Sequence, residues 1–76
     1  MHPRIEVNPK ILSGKAVIRG TRIPVEMIVR KLGEGATVTE VVNDFPRLTE
    51  EDVRAALAFA ADSLSTDEVV PLADSE

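Results

Sequence analysis

The chain has 76 residues, nine Lys and Arg against thirteen Asp and Glu, a single His, and no Cys, Trp or Tyr. The lack of Cys excludes disulfides and thiolate chemistry and removes the commonest structural zinc ligand, while a net charge of −4 argues against a generic polyanion binder. No apolar run approaches the roughly 20 residues that cross a bilayer, and the N-terminal "MHPRIEVNPK" lacks the hydrophobic core of a signal peptide, so a soluble cytoplasmic protein is expected.

In chain order, Ile5 and Val7 alternate with Arg4 and Glu6 at the two-residue period of a half-buried strand, and Ala16 to Ile18 form a second short apolar run. Asn8-Pro9 and Ser13-Gly14 are turn signals between them, so the two runs read as an N-terminal β-hairpin. A two-stranded hairpin is barely stable alone. It has to lie on the helices or pair with a second chain, and with so small a core a homodimer is expected.

"VIRGTRIPVEMIVRKL" then bends the chain into a helix. Gly20 suits a positive φ at the bend, and Pro24 suits a first helical position with Ile23 extended before it. Val25, Ile28, Val29 and Leu32 follow the i, i+3, i+4, i+7 spacing of one buried face, and Gly33 or Gly35 ends that helix. Thr37 with Glu40 forms a capping box that starts a second helix over about Val38 to Asp44 or Phe45, halted by Pro46. Thr49 with Asp52 nearly repeats the box. Each cap is flanked by a hydrophobic staple, Ala36 with Val41 and Leu48 with Val53.

The third helix should span Glu50 to Leu64, with Val53, Ala56, Leu57, Ala60, Ala61 and Leu64 on one stripe. Phe59 lies to the side, near Ala55, and faces either a partner or the hairpin of its own chain. Residues 1–64 thus form a single mostly helical domain, and residues 65–76, "STDEVVPLADSE", read as a flexible acidic tail whose Val69, Val70 and Leu72 are apolar enough to dock on a partner.

Charge divides along the chain. Residues 1–31 hold seven basic and two acidic side chains, whereas residues 32–76 hold two basic and eleven acidic ones. The basic half gathers the candidate nucleic-acid contacts Lys15, Arg19, Arg22, Arg30 and Lys31. Ile23, as the cap of helix one, offers no side-chain oxygen, which leaves backbone N–H groups for an anion, although Glu26 answers the same partial charges. Arg22 serves either the fold or a phosphate or carboxylate contact.

Helices two and three, joined through "PRLT", have the spacing of a helix-turn-helix. The third helix, however, opens "TEEDVRAAL" and would bring three carboxylates to DNA, so any nucleic-acid contact falls to the hairpin, the "RGTR" turn and helix one. "SGKAV" lacks the upstream glycine and the Ser or Thr of a phosphate loop, and His2 has no second soft ligand beside it. No nucleophile is paired with a base. Neither a catalytic residue, a metal nor a cofactor is expected.

The combination "GKAVIRGTRIPV" followed by "FPRLTEEDVRAAL" resembles the family called "domain of unknown function 433", small antitoxin-like prokaryotic proteins with a homeodomain-like helical fold. The resemblance runs from residue 4 to about 61. It implies a three-helix, helix-turn-helix bundle and a non-catalytic antitoxin of a type II toxin–antitoxin pair, whose partner is a PIN-type ribonuclease and which can bind its own operator DNA. The alternative is a protein-only interaction module or regulator. Gly14, Lys15, Arg19, Gly20, Thr21, Arg22 and Pro24 occupy the family's motif positions, and Val38 stands where many members have an acid or proline. On this reading Phe59 and the tail residues Val69, Val70 and Leu72 contact the toxin.

Overall fold

The computed structural model describes residues 2–65. Two short antiparallel strands, β1 (Ile5–Val7) and β2 (Ala16–Ile18), precede three helices, α1 (Val25–Gly33), α2 (Val38–Asp44) and α3 (Glu50–Ser65). The register pairs Ile5 with Ile18, Glu6 with Val17 and Val7 with Ala16. This puts Ile5 and Ile18 together on the face that meets the helices, so the hairpin lies on the helices of its own chain. Beyond Ser65, the tail and its Val69, Val70 and Leu72 lie outside the described residues.

Both expected helix starts form. Thr37 Oγ1 accepts the Glu40 N–H at 3.1 Å while Glu40 Oε1 accepts the Thr37 N–H at 2.8 Å. Thr49 Oγ1 accepts from the Asp52 N–H at 3.1 Å and Asp52 Oδ2 from the Thr49 N–H at 3.0 Å. Each box satisfies two backbone donors that a helix start otherwise leaves open. The exit of α1 is as specific. Ala36 N–H reaches the Lys31 carbonyl at 3.0 Å and Gly35 N–H the Leu32 carbonyl at 3.1 Å, a Schellman pattern with Gly35 in the left-handed region at φ +109°.

One boundary moves. Pro24 is the cap and Val25 the first helical residue of α1, because Pro24 is extended at ψ 141° and forms a bridge with Val17. The last extended residue of the entry is therefore Pro24, and Ile23 sits one place further out than the sequence suggests.

The core gathers Ile5, Ile18, Val25, Ile28, Val41, Leu48, Val53 and Ala56. Ile28, Val41 and Val53 have no accessible surface, and each such side chain contributes about 1.5–3 kcal/mol of burial. The stripe on α3 differs from the expected one. Leu57 is 40% and Leu64 66% exposed, and Ala61 is exposed, whereas Asp52 is buried and Phe59 packs against the core. The helix is rolled toward Asp52, whose carboxylate faces inward to close the cap and to accept from Arg4 Nη1 at 3.0 Å.

Candidate functional site

Two surfaces concentrate the candidate residues: the turn between β2 and α1, and a groove between α1, β2 and the C-terminal half of α3. The turn is held by its own polar groups. Thr21 Oγ1 donates to the Ile18 carbonyl at 2.7 Å and accepts the Ile23 N–H at 3.0 Å, while Gly20 supplies the positive φ of +81° that the bend requires. Arg19 reaches back along the hairpin, its Nε donating to the Pro3 carbonyl at 2.7 Å and its Nη2 to the Ile5 carbonyl at 3.2 Å. It fastens the N-terminal segment to β2.

Three of the other four candidate cations are also engaged. Lys15 Nζ lies 3.4 Å from Glu26 Oε1, and Arg30 Nη2 lies 3.8 Å from Glu26 Oε2. Lys31 sits 4.0 Å from Asp44 and 5.8 Å from the centre of the Phe45 ring, a cation–π distance. Arg22 alone of the five is exposed with no hydrogen-bond or ion-pair partner among the described residues. A residue outside the expected set stands near it. Arg47, in the α2–α3 turn, donates through Nη2 to the Gly20 carbonyl at 3.0 Å and lines one cleft with Arg22, Thr21 and Glu6. No pattern in the sequence marks Arg47, because the contact joins two turns 27 positions apart.

At the start of α3 the charges are matched. Arg4 bridges Glu51 at 2.8 Å and Asp52 at 3.0 Å, and Arg54 pairs with Glu50 one helical turn away at 2.9 Å. Arg54 therefore offers no free positive charge beside the helix start.

The groove has a different character. Ala16, Val25, Val29, Phe59, Ala60 and Leu64 give it an apolar surface, Lys15, Glu26 and Arg30 form its charged rim, and its volume is about 510 Å³. It exists because the core-facing side of α3 continues past the elements that cover it. Val53 and Ala56 are sealed, but Phe59 and Ala60, about one turn beyond Ala56, are only partly covered. Phe59 keeps one edge on its own chain, with its ring 5.4 Å from the His2 imidazole in a T-shaped contact. His2 Nε2 in turn is 2.7 Å from Asp62 Oδ2. Val25 with Val29, and Ala60 with Leu64, are apolar pairs four residues apart on facing helices. That spacing is visible in the sequence, but it reads equally as core.

Among the described residues there is no cluster of three or more His, Asp or Glu placed to hold a metal ion, and no helix long and apolar enough to cross a membrane.

Comparison with known proteins places this arrangement in a family. The profile of the DUF433 proteins, described as of unknown function, matches residues 5–60. Uncharacterized protein y4eO of Sinorhizobium fredii is 36% identical over 53 residues, which are 70% of this chain and 24% of that protein, so the chain spans about a quarter of the relative's length. The crystal structure of a DUF433 member from Anabaena variabilis, at 2.00 Å resolution, superposes with a TM-score of 0.77 at 35% identity, covering 83% of this chain and 62% of that one.

Proposed function

We propose, from the premise that the chain belongs to the DUF433 family, that it is a non-catalytic binding module: the antitoxin of a type II pair, which neutralises a PIN-type ribonuclease by taking a segment of it into the α1–β2–α3 groove. One observation carries the reading. The groove is open and mostly apolar, lined by Ala16, Val25, Val29, Phe59, Ala60 and Leu64, with Lys15, Glu26, Arg30 and Ser63 as its polar members. Such a surface suits an amphipathic helix or an extended segment, which buries alternate side chains and meets the rim with its own charges.

This reading carries a cytoplasmic location and a homodimer. The exposed edge Leu57, Ala61 and Leu64, on one side of α3, is the surface that a second copy would cover. Binding to operator DNA is the second reading, favoured by one observation: Arg22 has no partner among the described residues and shares a cleft with Arg47. It ranks second because Lys15, Arg19, Arg30 and Lys31 already have partners within the chain.

The test is co-expression with a ribonuclease encoded beside this gene, followed by co-purification and an RNA-cleavage assay. Leu64→Asp, at an exposed groove position, should leave the helical circular dichroism spectrum unchanged and weaken inhibition at least tenfold. Undiminished inhibition by a folded Leu64→Asp protein would move the contact away from the groove.

A further inference from the structure

Charge is unevenly shared along the groove. Lys15 and Arg30 both turn to Glu26, Lys15 Nζ at 3.4 Å from one carboxylate oxygen and Arg30 Nη2 at 3.8 Å from the other, and both contacts are longer than a charge-assisted hydrogen bond. At the start of α3 the balance is the reverse, with Arg4 divided between two carboxylates at 2.8 and 3.0 Å. The groove rim therefore holds one cation in excess, on a chain whose net charge is −4. All three rim side chains are more than half exposed, so a partner's carboxylate reaches the two cations without the desolvation cost of a buried pair.

The walls of the groove are helical on two sides. Val25 and Val29 on α1, and Ala60 and Leu64 on α3, are each about one turn apart, roughly 6 Å along the axis. Ridges of four-residue spacing are what a third helix packs against, at about 8–10 Å from its neighbours. An extended segment lacks the equivalent support. It needs a free sheet edge for its N–H and C=O groups, and β2, the strand beside the groove, is occupied on both edges: by β1, and by the Ile23–Pro24 segment through the Val17–Pro24 bridge and the 3.0 Å bond from the Ile18 N–H to the Ile23 carbonyl. A helix brings its own backbone partners.

We infer that the occupant of the groove is a partner helix with an acidic flank: apolar side chains at i, i+3, i+4 and i+7 set against Val29, Ala60 and Leu64, and Asp or Glu on the side that faces Lys15 and Arg30. This rests on the reading of the groove as the partner's binding site and adds the chemistry of the segment it accepts. The flank follows from where the charges lie, since Lys15, Glu26 and Arg30 all belong to the α1 and β2 side, and Ser63 is the polar member on α3. The excess cation draws a carboxylate and repels Lys or Arg at the same place, which selects among amphipathic helices more than it strengthens any one of them.

The experiment uses the full chain and three synthetic peptides as probes. Each is about four helical turns long with Leu along one stripe. One carries Glu on the flank, the second carries Lys at the same positions, and the third has the Glu flank with a central Pro that breaks the helix. Fluorescence anisotropy gives the affinities, and amide shifts of isotope-labelled protein locate the contact. At low salt the Glu helix should bind about tenfold more tightly than the Lys helix, the gap should narrow as salt screens it, and the shifts should centre on Val29 and Ala60. Arg30→Glu should reverse the preference with an unchanged circular dichroism spectrum, and Arg30→Lys should keep it. Equal binding of the Glu and Lys helices, a preference that survives Arg30→Glu, or no binding of the Glu helix at millimolar concentration would overturn the acidic flank. Equal binding of the Pro-broken peptide would replace the helix by an extended occupant. Groove shifts that depend on protein concentration and that the Glu helix does not displace would assign the groove to a second copy and overturn the inference. The wider reading fails in a different way. If Leu64→Asp still inhibits the ribonuclease while the Glu helix binds the groove of the unaltered chain, the toxin sits elsewhere and the helix chemistry of the groove stands. If inhibition is lost in Leu64→Asp but undiminished in Arg30→Glu, the groove remains the toxin's site and its acidic flank is overturned.

Discussion

The two halves of α3 are built from similar residue types and do opposite work. In the first half, Asp52 is only 6% exposed and makes two kinds of bond at once, the backbone cap to Thr49 and the pair with Arg4, while Leu48, Val53 and Ala56 are sealed beneath it. In the second half, Leu57 is 40% and Leu64 66% exposed, and Phe59 and Ala60 border an open groove. One helix thus fixes the fold at its start and offers binding surface at its end. The difference lies in what packs opposite: Ile5, Val41 and Leu48 join Val53 and Ala56 in the buried core, whereas the later turns meet His2, at Phe59 and Asp62, and face α1 and β2 across the open groove. Apolar residues at helical spacing are consequently not equivalent along a helix, and the charges around them tell the two ends apart. Where every charge is matched, the surface is finished.

The sharpest way to break this comparison is to remove the apolar side chain that staples the start of the first half and one that belongs to the second. Leu48→Ala deletes a 2%-exposed staple residue beside the cap and should cost about 2–5 kcal/mol. For a domain of this size that is a large share of total stability, and a fall in Tm of roughly 10–30 °C by circular dichroism is expected. Leu64→Ala should change stability by less than about 0.5 kcal/mol. Equal losses would show that the second half of α3 is core.

Next in size is Asp52→Ala, which removes the cap acceptor and leaves the Arg4 guanidinium with Glu51 alone. The expected cost is about 1–3 kcal/mol, from chemical denaturation. Arg4→Ala should cost less than about 1 kcal/mol, because that side chain is half exposed and water screens its pairs. If the two variants were equally damaging, the ion pair rather than the cap would hold the helix start.

Much of this architecture was legible in the residues, and the reason is local. Caps, staples, glycine exits and proline stops are decided within about four residues, so the starts of α2 and α3 follow from Thr37 and Thr49 and the end of α1 from Gly33 or Gly35, of which Gly35 takes the left-handed φ. The roll of α3 did not follow. It depends on Asp52 turning inward to meet Arg4, 48 positions earlier, and a carboxylate in the first turn of a helix reads as solvent-facing until its partner is known. The candidate cations show the same limit. Charge alone grouped Lys15, Arg19, Arg22, Arg30 and Lys31, but their availability depends on carbonyls and carboxylates supplied elsewhere in the chain, and among the described residues only Arg22 is left without one. The groove was hidden for another reason: Val29 and Ala60 have the spacing of core residues, and whether a third element covers them is a property of the whole fold.

Association sharpens the comparison from the other end. If the exposed edge of α3 is a contact between two copies, sedimentation equilibrium from micromolar to near-millimolar concentration should show a dimer, and Leu57→Asp should weaken it about tenfold, or about 1.4 kcal/mol. A strictly monomeric mass over the whole range would remove this role and leave the groove as the binding surface of α3.

The smallest effect on the fold, and the most informative about DNA, concerns the two arginines of the β2–α1 cleft. Arg22→Ala should leave Tm unchanged, since Arg22 has no partner to lose among the described residues. Arg47→Ala removes one exposed hydrogen bond to the Gly20 carbonyl and should cost no more than about 1 kcal/mol. If the protein contacts operator phosphates, Arg22→Ala should nevertheless weaken binding across sequences and reduce the slope of log affinity against log salt by roughly one, because one fewer counterion is released. Arg54 provides the comparison on α3. Its charge is paired with Glu50 at 2.9 Å beside Glu51, and a cation so placed has little potential left for a phosphate. Titrations of Arg22→Ala and Arg54→Ala at several salt concentrations separate the two faces. A greater loss from Arg54→Ala would move DNA reading to the start of α3, and the half of that helix described above as finished would then have to open its ion pairs to bind.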